Sequence, residues 1–149
     1  MSYSDQINED LKKAMLAREK QKLEAIRAIK AAFILARTDK GAGYVLEEAE
    51  ELKILQKLVK QRKESAAIYK EQNRPELCDL ELLEAAVIEK YLPAQMSDQE
   101  IAAVVKKIIA ESGAAGLKDM GKVMGIATKE LAGKADGKVI SGVVKQLLA

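Results

Sequence analysis

Four lysines, Lys118, Lys122, Lys134 and Lys138, crowd the last stretch of the chain, Gly116 to Ala149, with Lys129 and Lys145 further along it. Lysine ammonium groups meet phosphates as strongly hydrated point charges. The free backbone N–H groups at the start of a final helix would add to that attraction. The plain alternative is that the same lysines only keep a small module soluble. Three glycines punctuate the stretch. Gly133 suits the left-handed position after a helix end, where a Cβ would clash. Gly121 and Gly125 sit four apart on one helical face, each costing about 1 kcal/mol of helix propensity relative to alanine. Close approach of a second helix, or of a ligand backbone, would compensate. Asp136 reads as the N-cap of the last helix, and a carboxylate on those N–H groups would compete with a bound anion.

Little other chemistry is on offer. The chain has no histidine, which removes the commonest general base, the usual triads and most zinc or iron sites. Its single cysteine, Cys78, lies beside Glu76 and Asp79. Their negative charge would raise a thiol's pKa and blunt it as a nucleophile, so a small packing residue is the better reading. No glycine-rich loop follows a strand, and Gly133 to Lys138 lacks the spacing of a phosphate cradle. The carboxylates Glu47, Glu48, Glu50 and Glu51, then Glu81, Glu84 and Glu89, interleave with lysines as solvated helix faces do. No catalytic residue, metal or cofactor is expected.

The elements that must position the lysines are helical. Only 2 prolines and 3% aromatic residues accompany an apolar share of 48%, a composition for an all-α chain with a core. The formal charge is +2, all of it beyond residue 93, where 8 basic residues face 6 acidic ones. That is mild for a dedicated nucleic-acid binder. A first helix starts at Ser4 as N-cap and buries Ile7, Leu11 and Met15, with a break near Glu19. A second runs from Lys20 to Arg37 over Leu23, Ile26, Ile29 or the stem of Lys30, Phe33 and Ile34. Residues 38–43 form a loop. Leu46 opens a long third helix with Leu52, Leu55, Leu58, Val59, Arg62, Ala66 and Tyr69 on one face. Pro75 starts a fourth, carrying Leu77, Leu80, Leu83, Val87 and Tyr91, because proline is harmless in a first turn. Arg62 and Arg74 are placed to pair with Glu81 or Glu84 and tie these two helices together.

Leu92 to Met96 reads as a hinge. Ser97 and Glu100 form a capping box for a fifth helix, serine accepting from the helix and glutamate reaching back to the serine N–H. The tail then forms a hairpin. One helix buries Met120, Val123, Met124, Ala127 and Leu131; the other buries Val139 or Ile140, Val143, Val144, Leu147 and Leu148. The architecture expected is an N-terminal bundle of about four helices over residues 1–93 and a three-helix module over 97–149.

Six words in fixed order, closed by V-x-x-L-L near the end, carry a resemblance: AIRAIKAAF (25–33), VKQRKES (59–65), NRPEL (73–77), KYLPAQMSDQE (90–100), MGKVMG (120–125) and GKADG (133–137). Together they resemble the YqeY-like family, whose tail module also closes one of the subunits of the glutamine-dependent aspartyl/glutamyl-tRNA amidotransferase. That likeness implies contact with the outer corner of transfer RNA, through Gly121, Lys122, Gly125, Gly133, Lys134 and Asp136. It carries the family-level label of a carbon–nitrogen ligase with glutamine as amido-N-donor. The stand-alone family lacks the kinase-like and amidase parts, so the label is inherited with the tail and the chain is no enzyme by itself. The expected function is a non-catalytic accessory module for transfer RNA or other structured RNA, with duplex DNA excluded. The alternative is a protein-interaction adaptor with a groove between bundle and tail and no RNA role. The polar first 13 residues and the lack of any apolar run of about 20 point to a cytoplasmic protein without membrane partners.

Overall fold

The computed structural model describes residues 2–149, and among them every regular element is helical. The chain divides into two compact units, Met1–Leu92 and Pro93–Ala149.

In the first unit, α1 (Tyr3–Ala17), α2 (Lys20–Lys40), α3 (Glu48–Glu71) and α4 (Pro75–Glu89) surround a core of Ile7, Ala14, Ala25, Ile26, Ile29, Phe33, Leu46, Leu55, Val59 and Ile88. The break after α1 is a left-handed residue, Arg18 (φ 58°). Gly41 (φ 118°) ends α2 three residues beyond the expected boundary, because the Arg37 and Thr38 carbonyls still accept from the Gly41 N–H.

Several expected contacts fall elsewhere. The N-cap of α1 is Ser2, not Ser4: Ser2 Oγ accepts from the Asp5 N–H, and the Asp5 carboxylate accepts from the Ser2 N–H. Ser2 wins because it has an acidic residue three positions on, which completes a reciprocal box. Ser4 instead donates its N–H and its hydroxyl to Glu51, at 3.0 and 3.1 Å. Glu51 is therefore not part of a solvated face. It is the one buried charged residue among those described, at 3% exposure, made tolerable by those two donors. Met15 and Ile34, expected inside, are exposed.

The fourth helix departs most from its expected stripe. Its inward residues are Cys78, Ala85 and Ile88, while Leu80, Leu82 and Leu83 face out. A helix apolar on most sides gives periodicity little to choose between. What fixes its orientation is charge. Arg62 of α3 reaches Glu84 at 2.6 Å and Glu81 at 3.5 Å, and Lys63 pairs with Glu89. Arg62, Glu81 and Glu84 are all largely shielded, so these glutamates are structural rather than solvated. Tyr91 donates to Asp10 at 2.5 Å, closing the end of the unit onto α1.

The second unit holds α5 (Asp98–Ser112), a 3₁₀ turn at Leu117–Asp119, α6 (Met120–Glu130) and α7 (Gly137–Leu148). Its core is aliphatic: Ile101, Val105, Ile108, Val123, Ala127, Leu131, Ala135, Ile140, Val144 and Leu148. Of the paired alternatives on α7, Ile140 is inside and Val139 outside. Ser97 caps α5 by accepting from the Glu100 N–H at 3.2 Å. The return half of the box differs from expectation: the Glu100 carboxylate accepts from the serine hydroxyl, at 3.1 Å, rather than from its N–H.

Candidate nucleic-acid interface

The α6–α7 turn is tightly specified by its own backbone. The Lys134 N–H returns to the Leu131 carbonyl at 2.9 Å, and Gly133 takes a φ of 76°, where a side chain would be strained. The segment before α5 then grips the turn from one side. Gln95 Nε2 donates to the Gly133 carbonyl at 2.7 Å, and the Met96 N–H donates to the Lys134 carbonyl at 2.9 Å. Gly133 and Ala135 are buried, and the Lys134 side chain projects from this fixed turn into solvent. Gly133 thus contributes backbone shape, and Lys134 contributes charge.

Asp136 stands at the N-cap of α7 with extended backbone, its carbonyl accepting from the Ile140 N–H at 3.0 Å. Its carboxylate makes no capping hydrogen bond to α7, contrary to the expectation from sequence. The first α7 amides are therefore not taken by that carboxylate in the way the sequence suggests.

On α6, Gly121 and Gly125 are exposed, and a Cβ placed at either would meet no heavy atom within 4 Å. Neither glycine is therefore in contact with a packed neighbour on that side. Lys122 lies between them in sequence. Its Nζ donates to the Ser112 carbonyl at 3.0 Å, a cation on the C-terminal end of α5 where the helix dipole favours it. Lys118 is exposed in the 3₁₀ turn, whose approach is held by the Ala115 N–H donating to Asp119 at 2.8 Å.

Lys138 belongs to a different face. With Asp98, Lys106 and Gln146 it rims an open groove of about 720 Å³ between α5 and α7, floored by Ala102, Val139, Gly142, Val143 and Leu147. Lys106 does not stand out in the sequence, where it is one of two adjacent lysines on an amphipathic helix. The available signal was its position one turn beyond Ala102, on the α5 side that Asp98 also occupies. The structure thus sorts the lysines expected at the site into Lys118 in the 3₁₀ turn, Lys122 on α6, Lys134 at the α6–α7 turn and Lys138 at the groove. Cys78 is buried in the other unit, and among the described residues no three cysteine or carboxylate side chains gather to hold a metal ion.

Comparison with known proteins gives the following. A family model described as Yqey-like protein matches residues 4–148. A protein named altered inheritance of mitochondria protein 41, mitochondrial, from Clavispora lusitaniae is 38% identical over 94 residues, 62% of this chain and 54% of its own length. The protein of the same name from Meyerozyma guilliermondii is 36% identical over 86 residues, 58% of this chain and 44% of its own length. The chain spans about half the length of these curated relatives. No helix among the described residues is long and apolar enough to cross a membrane.

Proposed function

The chain belongs to the YqeY-like family, and from that premise we propose that it is a non-catalytic accessory module that holds transfer RNA by its phosphates. The observation that carries the reading is the bare face of α6. Two exposed glycines with open space over them sit among exposed lysines, so a phosphodiester backbone can come within reach of the helix itself. On this proposal Lys118 and Lys122 serve that face, Lys134 adds charge at the α6–α7 turn, and Lys138 adds a further phosphate contact from the separate rim of the α5–α7 groove. Gly121 and Gly125 give access and Gly133 shapes the turn. The likeness of this hairpin to the tail of the tRNA amidotransferase subunit supports transfer RNA as the ligand. Such contacts read shape and phosphate positions rather than base sequence. The carbon–nitrogen ligase label is, on this proposal, the activity of a partner enzyme to which the module is accessory.

Fluorescence anisotropy with bulk transfer RNA and with duplex DNA, over a salt series, tests the reading. Micromolar or tighter binding to transfer RNA, weakening with salt and preferred over DNA, is the expected result. Lys134→Glu is the cleanest variant, because the turn is held by backbone bonds that the side chain does not join. Lys122→Glu also removes the cap on Ser112 and needs a stability control. Absence of binding at about 50 mM salt, where phosphate contacts are strongest, sinks the proposal.

The groove between α5 and α7 favours a second reading, a protein adaptor, because its apolar floor is a poor surface for phosphates. A defined protein captured from nuclease-treated lysate, and lost in Val143→Asp, would support it. We propose that the protein works in the cytoplasm. Cell fractionation decides the compartment.

A further inference from the structure

The outward face of α4 is an apolar surface that no other element of its unit covers. Glu76, Leu80, Leu83, Val87 and Lys90 follow one another at steps of four, three, four and three, the spacing of a seam that meets another helix. Leu80 is 39% exposed and Leu83 48%. Val87 is half-buried at the edge of the core, and Glu76 and Lys90 are exposed at the two ends. The opposite side of the helix is already committed, through Cys78, Ala85 and Ile88 to the core and through Glu81 and Glu84 to Arg62. A leucine seam in water without a partner is a liability that soluble proteins rarely keep.

We propose that this seam pairs, antiparallel, with the same seam of a second copy of the chain. Charge selects that occupant. The seam is acidic at its first residue and basic at its last, so an antiparallel copy brings each Glu76 end beside the other copy's Lys90 end, twice, by symmetry. A two-fold interface must be self-complementary, and this one is. A parallel copy would instead set glutamate against glutamate and lysine against lysine. The patch is one face of a single helix of 15 residues, short of the roughly 20–30 residues a side of a standard interface, so the dimer is a weak one.

Sedimentation equilibrium of the full chain, up to about 500 μM, reads the association directly. Leu83→Glu, at the middle of the seam, raises Kd at least about tenfold. Glu76→Lys and Lys90→Glu each weaken the dimer several-fold by facing like charges, and the double variant returns to the wild-type Kd. All three positions are exposed or at a helix end, and circular dichroism confirms folding of each variant. A monomer throughout the range overturns the proposal. So does a dimer indifferent to Leu83→Glu, or a double swap as weak as the singles, which would assign the seam to a different partner.

Discussion

The two units solve the problem of holding helices together by different means. In the first, the named cross-helix polar contacts join side chain to side chain or a carboxylate to backbone: Ser4 to Glu51, Tyr91 to Asp10, Arg62 to Glu81 and Glu84, Lys63 to Glu89. Its ion pairs engage Lys22, Arg27, Lys40, Arg62 and Lys63 with glutamates of the same unit. In the second, the core is purely aliphatic and the polar ties end on backbone carbonyls: Gln95 on Gly133, Met96 on Lys134, Lys122 on Ser112. In this unit Lys118, Lys134 and Lys138 stay exposed. That contrast is why the proposed RNA face falls in the tail although the tail's excess charge is small.

The largest effect expected is common to both units and calibrates the rest. Leu55→Ala and Ile140→Ala, each removing a buried aliphatic side chain, cost about 2–5 kcal/mol by denaturant unfolding. Arg62→Ala sharpens the contrast. It strips two shielded carboxylates of their partner at once, a loss of about 2–3 kcal/mol. Reversing Lys134 changes stability by less than about 0.5 kcal/mol. Comparable costs at both positions would erase the distinction between a unit tied by side-chain ion pairs and one tied through its backbone.

Tyr91 gives the comparison a pH signature. Burial, then its hydrogen bond to Asp10, pushes the phenol well above its ordinary value of 10.0. The unfolded chain therefore releases that proton at lower pH than the folded one. The stabilisation is whole below pH 10 and is lost as pH rises beyond it. Tyr91→Phe costs about 1 kcal/mol at neutral pH and flattens the alkaline decline, as urea titrations at pH 8 and 11 would show. An unchanged alkaline slope would mean that Tyr91 does not hold the unit closed.

The helices of the tail were legible because their apolar residues keep one period and because Ser97 and Gly133 sit where local backbone geometry demands them. The α3–α4 tie through Arg62 was legible too, as a charge that needed a partner. The face of α4 was not. Leucines on several sides make the periodicity ambiguous, and the seam was decided by Arg62 drawing Glu81 and Glu84 inward. The burial of Glu51 was equally hidden, since its donors come from Ser4, 47 positions away. Within the candidate site, residue types were readable but engagement was not. Nothing in the sequence says that Lys122 is tied to Ser112, that the Asp136 carboxylate does not cap α7, or that Lys106 shares a groove with Lys138.

The smallest effect separates stability from binding on the tail itself. Gly125→Ala places a methyl group where no heavy atom lies within 4 Å, at a helical position without positive φ. Folding alone then predicts a gain of about 0.4–1 kcal/mol, because alanine has less freedom to lose from the unfolded chain. The proposed approach of a phosphodiester backbone gives that cost a reason. If the α6 face meets a phosphodiester backbone, the same variant weakens transfer RNA binding while raising the unfolding midpoint, and Gly121→Ala behaves alike. A more stable protein with unaltered affinity would free α6 of that role and leave the lysines of the turn and groove to account for any binding. A destabilised one would mean that the helix face is packed after all, and the tail would then resemble the first unit more closely than its bonds suggest.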